Sequence, residues 1–250
     1  MILVRKIQIP LLPTQKPRRL YISLPKGYAD GEARYPVMYM FDGHNVFYDS
    51  HATYGKSWGM REYLGRAKKE LIVVGIECNP EGNNRLSEYS PWDLSVWGLD
   101  IKGRGRETMD WITEVLKPQI DAEFRTLPDR DHTLIAGSSM GGLMAVYAAV
   151  ACNKVFSRAA ALSPCLFLHP RRLDALIKQE NLIRPTRIYM DYGSAETDEK
   201  TGEWSQMFLF ASRLSKAGAH IAARVVPGAE HNEAAWEKRI PLFMDYLLQE

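Results

Sequence analysis

Five residues in the middle of the chain, Gly137-Ser138-Ser139-Met140-Gly141, form a Gly-x-Ser-x-Gly. Taken alone, the pattern should arise by chance in roughly one chain in ten of this size, given glycine near 7% of residues. Its surroundings sharpen it. It follows an apolar run ending at Ala136 and opens a helical stretch over Met140–Val150. A sharp strand-to-helix turn lifts a serine hydroxyl out of the C-terminal edge of a sheet, and the flanking glycines relieve crowding around the strained serine backbone. Ser139 is the candidate nucleophile. Gly142 and Ala145 let the following helix pack close to the sheet.

A serine hydroxyl is a weak nucleophile until a base takes its proton. With such an elbow the chain order is nucleophile, acid, histidine, so the base should come late. Of the six histidines only His220 and His231 do. His220 begins a strand-like run and reads as structural. His231 lies in the turn Pro227–Asn232, between the last strand and the last helix, at the same sheet edge as Ser139. The acid is expected in the turn after the strand Arg187–Asp191, where Asp191, Glu196, Asp198 and Glu199 are the candidates. Asp191 falls inside the strand and reads as structural. Glu196 follows the glycine turn directly and is the first choice, with Asp198 second. Its role would be to hold the imidazole tautomer and stabilise the imidazolium. A developing oxyanion needs donors: the backbone N–H of Met140, and that of Gly43 or His44 in the loop Asp42–Asn45.

These residues need a sheet edge to gather on, and the apolar patterning supplies one. Arg5–Pro10 and Leu20–Leu24 alternate like half-buried antiparallel strands. Pro36–Phe41, Leu71–Ile76, His132–Ala136, Ser157–Leu162, Arg187–Asp191 and Ile221–Val226 are apolar runs suited to strands covered on both faces. Helical stretches fall between them at Met60–Lys69, Glu107–Phe124, Met140–Val150, Arg172–Gln179, Glu203–Lys216 and Asn232–Leu248. The alternation predicts an α/β fold with a mostly parallel central sheet, an antiparallel N-terminal edge and helices on both faces, in one domain over residues 1–250. Two stretches, Gly43–Ser57 and Asn79–Gly105, lack periodicity and read as functional loops.

At this point the chain resembles the Putative esterase family of α/β-hydrolases, which groups esterase D, feruloyl and acetyl-xylan esterases, enterochelin-type esterases and mycolyltransferases. The resemblance rests on Tyr39–Phe47 (YMFDGHNVF), Arg85–Pro91 (RLSEYSP), Ala136–Leu143 (AGSSMGGL), Ala161–Pro164 (ALSP), Asp191–Glu196 (DYGSAE), and His231 followed by Trp236. It implies the α/β-hydrolase fold and a Ser–Asp/Glu–His triad carried by Ser139, Glu196 and His231. Where relatives often show Gly-Thr-x-Asp or Gly-Thr-x-Glu, this chain has Gly193-Ser194-Ala195-Glu196, and His44 stands where many carry another polar residue. Acyl-sugar, feruloyl or acetyl esters are the substrates it implies.

The aromatic residues Phe47, Tyr48, Tyr54, Trp58, Tyr89, Trp92 and Trp97 crowd the two irregular stretches. Aromatic faces suit a sugar ring or an aromatic acyl group. Phe47, Trp58, Arg85, Trp92 and Trp97 are therefore candidate substrate contacts, although Arg85 also reads as the partner of Glu88 in a structural pair.

The resulting expectation is a serine carboxylic-ester hydrolase acting through an acyl-enzyme on a small-molecule ester. An acyltransferase or thioesterase with the same triad is the alternative, and a non-catalytic binding protein on the same fold is the alternative of another class. With 46% hydrophobic and 25% charged residues and a net charge of +2, the chain carries no electrostatic footprint for nucleic acid or a membrane surface. The basic clusters at 16–19 and 102–106 are short and read as solvated surface. No apolar run reaches the roughly 18 residues of a membrane span, and the N-terminus lacks the pattern of a signal peptide. Cys78, Cys152 and Cys165, odd in number and far apart, are not a disulfide framework, so a cytoplasmic location is expected. Gly55-Lys56-Ser57 lacks the first glycine of a P-loop, and neither His-Glu-x-x-His nor Cys-x-x-Cys occurs, so no cofactor or metal is expected.

Overall fold

The computed structural model describes residues 1–10, 12, 16–96, 98–196 and 203–249. Eight strands form the main sheet: β1 (Ile2–Ile7), β2 (Arg18–Ser23), β3 (Val37–Phe41), β4 (Ile72–Ile76), β7 (Thr133–Ser138), β8 (Arg158–Leu162), β9 (Arg187–Gly193) and β10 (His220–Val226). A separate hairpin pairs β5 (Leu94–Val96) with β6 (Leu99–Ile101). The order in the main sheet is β1-β2-β4-β3-β7-β8-β9-β10. Strands β1, β2 and β4 pair antiparallel, and every pairing from β4 through β10 is parallel. Every residue of β3, β4 and β7 is buried, which accounts for their unbroken apolar runs.

The pleat divides each central strand between two cores. Tyr39, Phe41, Val74 and Ile135 face one side, against α3 (Gly105–Trp111), α4 (Lys117–Glu123), α5 (Met140–Ala151), α6 (Pro170–Gln179) and α7 (Glu203–Lys216). Met38, Met40, Val73 and Leu134 face the other, against α1 (Met60–Ala67) and α8 (Glu233–Leu247). This is the arrangement of the α/β-hydrolase fold.

The topology fixes where chemistry can be done. From β3 the chain crosses to β4 on one side, then returns past β3 to β7 on the other. The order reverses between β3 and β7, and loops leaving adjacent parallel strands at such a point open a crevice above their carboxyl ends. The residues just beyond Phe41 and Ser138 therefore share one rim.

The structure departs from the sequence pattern in three places. The stretch Asn79–Gly105 holds a short helix, α2 (Asn84–Glu88), and the β5–β6 hairpin, elements too short to show a period. Within it Glu88 is buried against Arg18 of β2, the two side chains 2% and 3% exposed, with Arg18 Nη1 donating to Glu88 Oε2 at 2.6 Å. Arg18 is thus an interior residue and not solvated surface. The expected helix Glu107–Phe124 contains a wide π-type turn at Ile112–Leu116, just ahead of Pro118, which has no N–H to donate. Among the described residues no helix is long and apolar enough to cross a membrane.

The loop after β3 sits directly on β4. A Cβ added to Gly43 would lie 2.3 Å from the backbone carbon of Gly75. Gly43→Ala should therefore push the loop off the sheet at a cost of roughly 2 kcal/mol. Thermal denaturation should show the midpoint falling by roughly 5 °C.

Candidate active site

Ser139 joins the end of β7 to α5 with φ 57 and ψ −120, a conformation that side chains rarely adopt. The backbone holds it there on three sides: Ser139 N donates to Leu162 O (2.9 Å), and Ser139 O accepts from Leu143 N (3.0 Å) and Cys165 N (3.2 Å). The flanking glycines are steric requirements. A Cβ on Gly137 would lie 2.6 Å from the backbone of Gly141. The Ser139 hydroxyl contacts Cys165 Sγ at 3.5 Å, and burial pushes that thiol up to about 11. Met140 is the first residue of α5, so its N–H is among those that a helix leaves without an intrahelical partner.

Across the crevice, Asp42 turns the chain after β3 with φ 55, and Gly43–Asn45 form one turn of 3₁₀ helix. Asp42 is anchored at both ends. Its N–H donates to the Tyr89 hydroxyl (3.0 Å), and its carboxylate accepts from Arg85 Nε (2.8 Å) and Nη2 (2.7 Å). Burial alone would raise the Asp42 carboxyl, but the Arg85 guanidinium outweighs it and holds the group below the usual carboxylate range. Burial lowers His44, against the opposing pull of Asp42, and its Nε2 meets Thr53 Oγ1 at 3.0 Å. Asp42, His44 and Cys78 bring one ligand atom each within 4.8 Å of one another. They are a poor cation site, because Arg85 already holds both Asp42 oxygens and adds its own positive charge.

His231 lies in the turn before α8, and its Nδ1 is 2.9 Å from Glu196 Oε2. The imidazole is 43% exposed and the carboxylate 1%. Burial would raise Glu196, but hydrogen bonds from His231, Ser163, Arg239 and Gly193 outweigh it and hold the carboxyl below its ordinary range. The Trp236 ring meets the imidazole edge to face at 5.1 Å. Ser139 and His231 line one cavity of about 700 Å³, whose walls also carry Asp42, His44, Asn79 and Arg85.

The structure thus brings Ser139, His231 and Glu196 to one edge, with Met140, Gly43 and His44 around it. Asp198 and Trp97 lie outside the described residues. The aromatic candidates go elsewhere. Phe47, Trp58 and Trp92 are 2%, 3% and 8% exposed and do not line the cavity. Phe47 packs on Tyr21, Trp58 on Trp236 and Phe243, and Trp92 on Tyr147 and His169. They hold the loops down, and that role corrects their reading as substrate contacts. Tyr54, 81% exposed, and the largely buried Trp236 are the aromatic residues that line the cavity instead. The expected Arg85–Glu88 pair does not form: Arg85 binds Asp42, and Glu88 binds Arg18. The sequence reading missed Ser163 and Arg239, which hold Glu196. The signal for Arg239 was an arginine three residues after Trp236, on the apolar stripe of α8.

Removing Arg85 leaves the Asp42 charge buried without its partner. Arg85→Met should cost on the order of 3 kcal/mol at neutral pH. Urea denaturation should show that deficit shrinking in acid. The lowered carboxyl of the parent loses its stabilising contribution as the pH falls through its folded value, and the stranded carboxyl of the variant takes up its proton sooner.

A family model described as Putative esterase matches residues 13–244 of the chain. The uncharacterized protein YbbA of Bacillus subtilis is 27% identical over 188 residues, 73% of this chain and 70% of that protein. Esterase Rv1288 of Mycobacterium tuberculosis is 32% identical over 129 residues, 51% of this chain and only 25% of the mycobacterial protein. Among solved structures, an IroE-like serine hydrolase from Shewanella oneidensis superposes with a TM-score of 0.77 at 22% identity, over 99% of this chain and 79% of that one.

Proposed function

The chain belongs to the Putative esterase family, and from that premise we propose that it is a serine carboxylic-ester hydrolase acting through an acyl-enzyme. The observation that carries the reading is the Glu196–His231 hydrogen bond of 2.9 Å beside a cavity that Ser139 also lines. Ser139 Oγ attacks the ester carbonyl while His231 Nε2 takes its proton. Glu196 stabilises the imidazolium through Nδ1–H. The carbonyl oxygen, now negative, is met by the N–H of Met140 and by that of Gly43 or His44. Collapse of the tetrahedral intermediate expels the alcohol, which takes the proton from His231 and leaves the acyl group on Ser139. A water deprotonated by His231 then attacks the acyl carbonyl, and as the second tetrahedral intermediate collapses Ser139 Oγ leaves with the proton from His231 and the acid departs. In the free site the serine hydroxyl meets Cys165 Sγ, and the reaction needs it bonded to the imidazole, an adjustment usual on going from a free site to one holding substrate.

The walls are mixed. The Asp42–Arg85 pair, His44 and Asn79 offer hydrogen bonds and Trp236 an apolar ring, whereas Phe47, Trp58 and Trp92 lie in the interior. Such a cavity suits acetyl, acyl-sugar or feruloyl esters better than long acyl chains, with Tyr54 at the rim as the platform for a ring.

Hydrolysis of p-nitrophenyl esters from acetate to octanoate tests the reading, and rates should fall with chain length. Ser139→Ala and His231→Ala should each lower kcat by about 10⁴-fold or more with folding intact. A folded wild-type protein inert on every ester would defeat the proposal. Glu196→Gln should cost far more activity than Asp198→Asn, and the reverse result would move the acid to Asp198.

A further inference from the structure

Glu196 is bonded far beyond what holding one imidazole requires. Its Oε2 faces His231, while Oε1 accepts from Ser163 Oγ (2.7 Å), Gly193 N (2.7 Å) and Arg239 Nη2 (2.8 Å). The direction of the Ser163 bond is forced. The Ser163 oxygen already accepts from Trp236 Nε1 (3.0 Å) and Arg239 Nη1 (3.2 Å), and neither group can do anything but donate. The one hydroxyl proton is left for Glu196. Three donors therefore converge on Oε1, and no proton can sit there. A proton taken up by Glu196 would have to sit on Oε2, facing His231 Nδ1. The imidazole would then carry its own proton on Nε2, the tautomer that cannot receive one from Ser139.

We propose that Ser163 and Arg239 are positioning residues that lock Glu196 as a carboxylate and, through it, hold His231 in the tautomer with its proton on Nδ1. The inference rests on reading Ser139, His231 and Glu196 as the triad. The backbone is shaped for the purpose. Ser163 follows β8 in the left-handed region, φ 48, with its N–H fixed on Asp191 O at 2.7 Å. Arg239 rises from α8 with its side chain 1% exposed. A Cβ on Gly193 would fall 2.0 Å from the Ala229 carbonyl oxygen and 2.8 Å from Arg239 Nη2, so the end of β9 admits both the turn before His231 and the guanidinium.

The charges around the lock set the sign of its effect. Asp191 shares the guanidinium, with its Oδ1 3.0 Å from Arg239 Nη1 and its Oδ2 accepting from the Tyr189 hydroxyl at 2.8 Å. Burial raises Glu203 of α7 and Glu233 of α8, with His231 close enough to lower both and Arg85 to lower Glu233, and Glu196 itself raises Cys165 and Tyr192. The anionic side chains outnumber the cations here. Among the described residues Arg239 is the arginine bonded to both Asp191 and Glu196. Taking its charge away makes Glu196 easier to protonate on the oxygen that faces His231, so the acid limb of the pH–rate profile must move to higher pH.

Two measurements on wild type, Ser163→Ala, Arg239→Lys and Arg239→Met test the lock. The first is the pH dependence of kcat and KM on p-nitrophenyl acetate. The second is nitrogen NMR of the His231 ring, assigned by comparison with His231→Gln. Expected are a fall of about 10- to 100-fold in kcat for Ser163→Ala and Arg239→Met, the loss of one or two hydrogen bonds to a charged group, with KM within twofold. The acid limb should rise by at least about half a pH unit in Arg239→Met, one unit being the 1.36 kcal/mol equivalent of a full pKa step. It should return toward wild type in Arg239→Lys, and the Nδ1–H tautomer should lose population in both impaired variants. A drop in kcat with an unmoved limb and an unchanged tautomer would reduce both residues to scaffolding and overturn the proposal. Should Arg239→Met fail to fold, Ser163→Ala, which keeps the Cβ, removes one donor from Glu196 and takes an acceptor from Trp236 and Arg239, decides the matter through the ring NMR. The ring NMR needs no turnover, so a wild-type protein inert on the ester would sink the hydrolase reading while the lock is still judged on the tautomer.

Discussion

A serine at φ 57 and ψ −120 is a strained residue, and most of the surrounding architecture can be read as what keeps it there. The strain is tolerated because the chain has nowhere else to go. Behind it β7 is paired to β3 and β8, ahead of it α5 is buried along nearly its whole length, and beside it Leu162 and Cys165 bond its peptide groups. The two glycines let strand and helix meet at a distance no other residue permits. Small residues on α5 let the helix lie close to the sheet, and a Cβ on Gly142 would already touch Leu162 O at 3.0 Å.

The same economy of contact appears at the other rim of the crevice. Gly43 rests on Gly75, and Asp42 is tied to α2 through Arg85 and Tyr89. The loop that α2 belongs to is held in turn by Glu88, buried on Arg18 of β2. One chain of polar contacts therefore runs from an antiparallel strand near the sheet edge, through an irregular segment, to the backbone donors opposite Ser139. The loop that carries them is thereby tied to the sheet at both ends.

How much of this was legible depended on the distance along the chain over which each feature is encoded. The elbow is local: glycine spacing around Ser139, an apolar run before it and a helix after it all lie within about twenty residues. The strands of the sheet likewise announce themselves by composition. His231 and Glu196 could be found because each sits in a turn after a recognisable strand, and the fold order assigns those turns to one edge. Partner choice is another matter. Arg18 and Glu88 are 70 positions apart, and Arg85 is 43 from Asp42, as Arg239 is from Glu196. Residue type alone gives no means of choosing among many such pairs, so Arg85 is matched to the neighbour in its own helix, Glu88, and Arg239 to nothing. The loop aromatics fail for a related reason. Phe47, Trp58 and Trp92 are equally suited to a sugar face and to a packed interior, and only the tertiary fold shows that the interior takes them.

The unequal exposure of His231 and Glu196 has a bearing on timing. The carboxylate is sealed off, yet 43% of the imidazole side chain faces solvent. Protons can therefore pass between the ring and bulk water without any part of the fold opening, and water itself stands within reach of whatever group is bound to Ser139. An alcohol meant to receive a group from the proposed nucleophile would have to compete there with water. On the proposed reading, an open base of this kind favours water over an alcohol as the group that clears the serine.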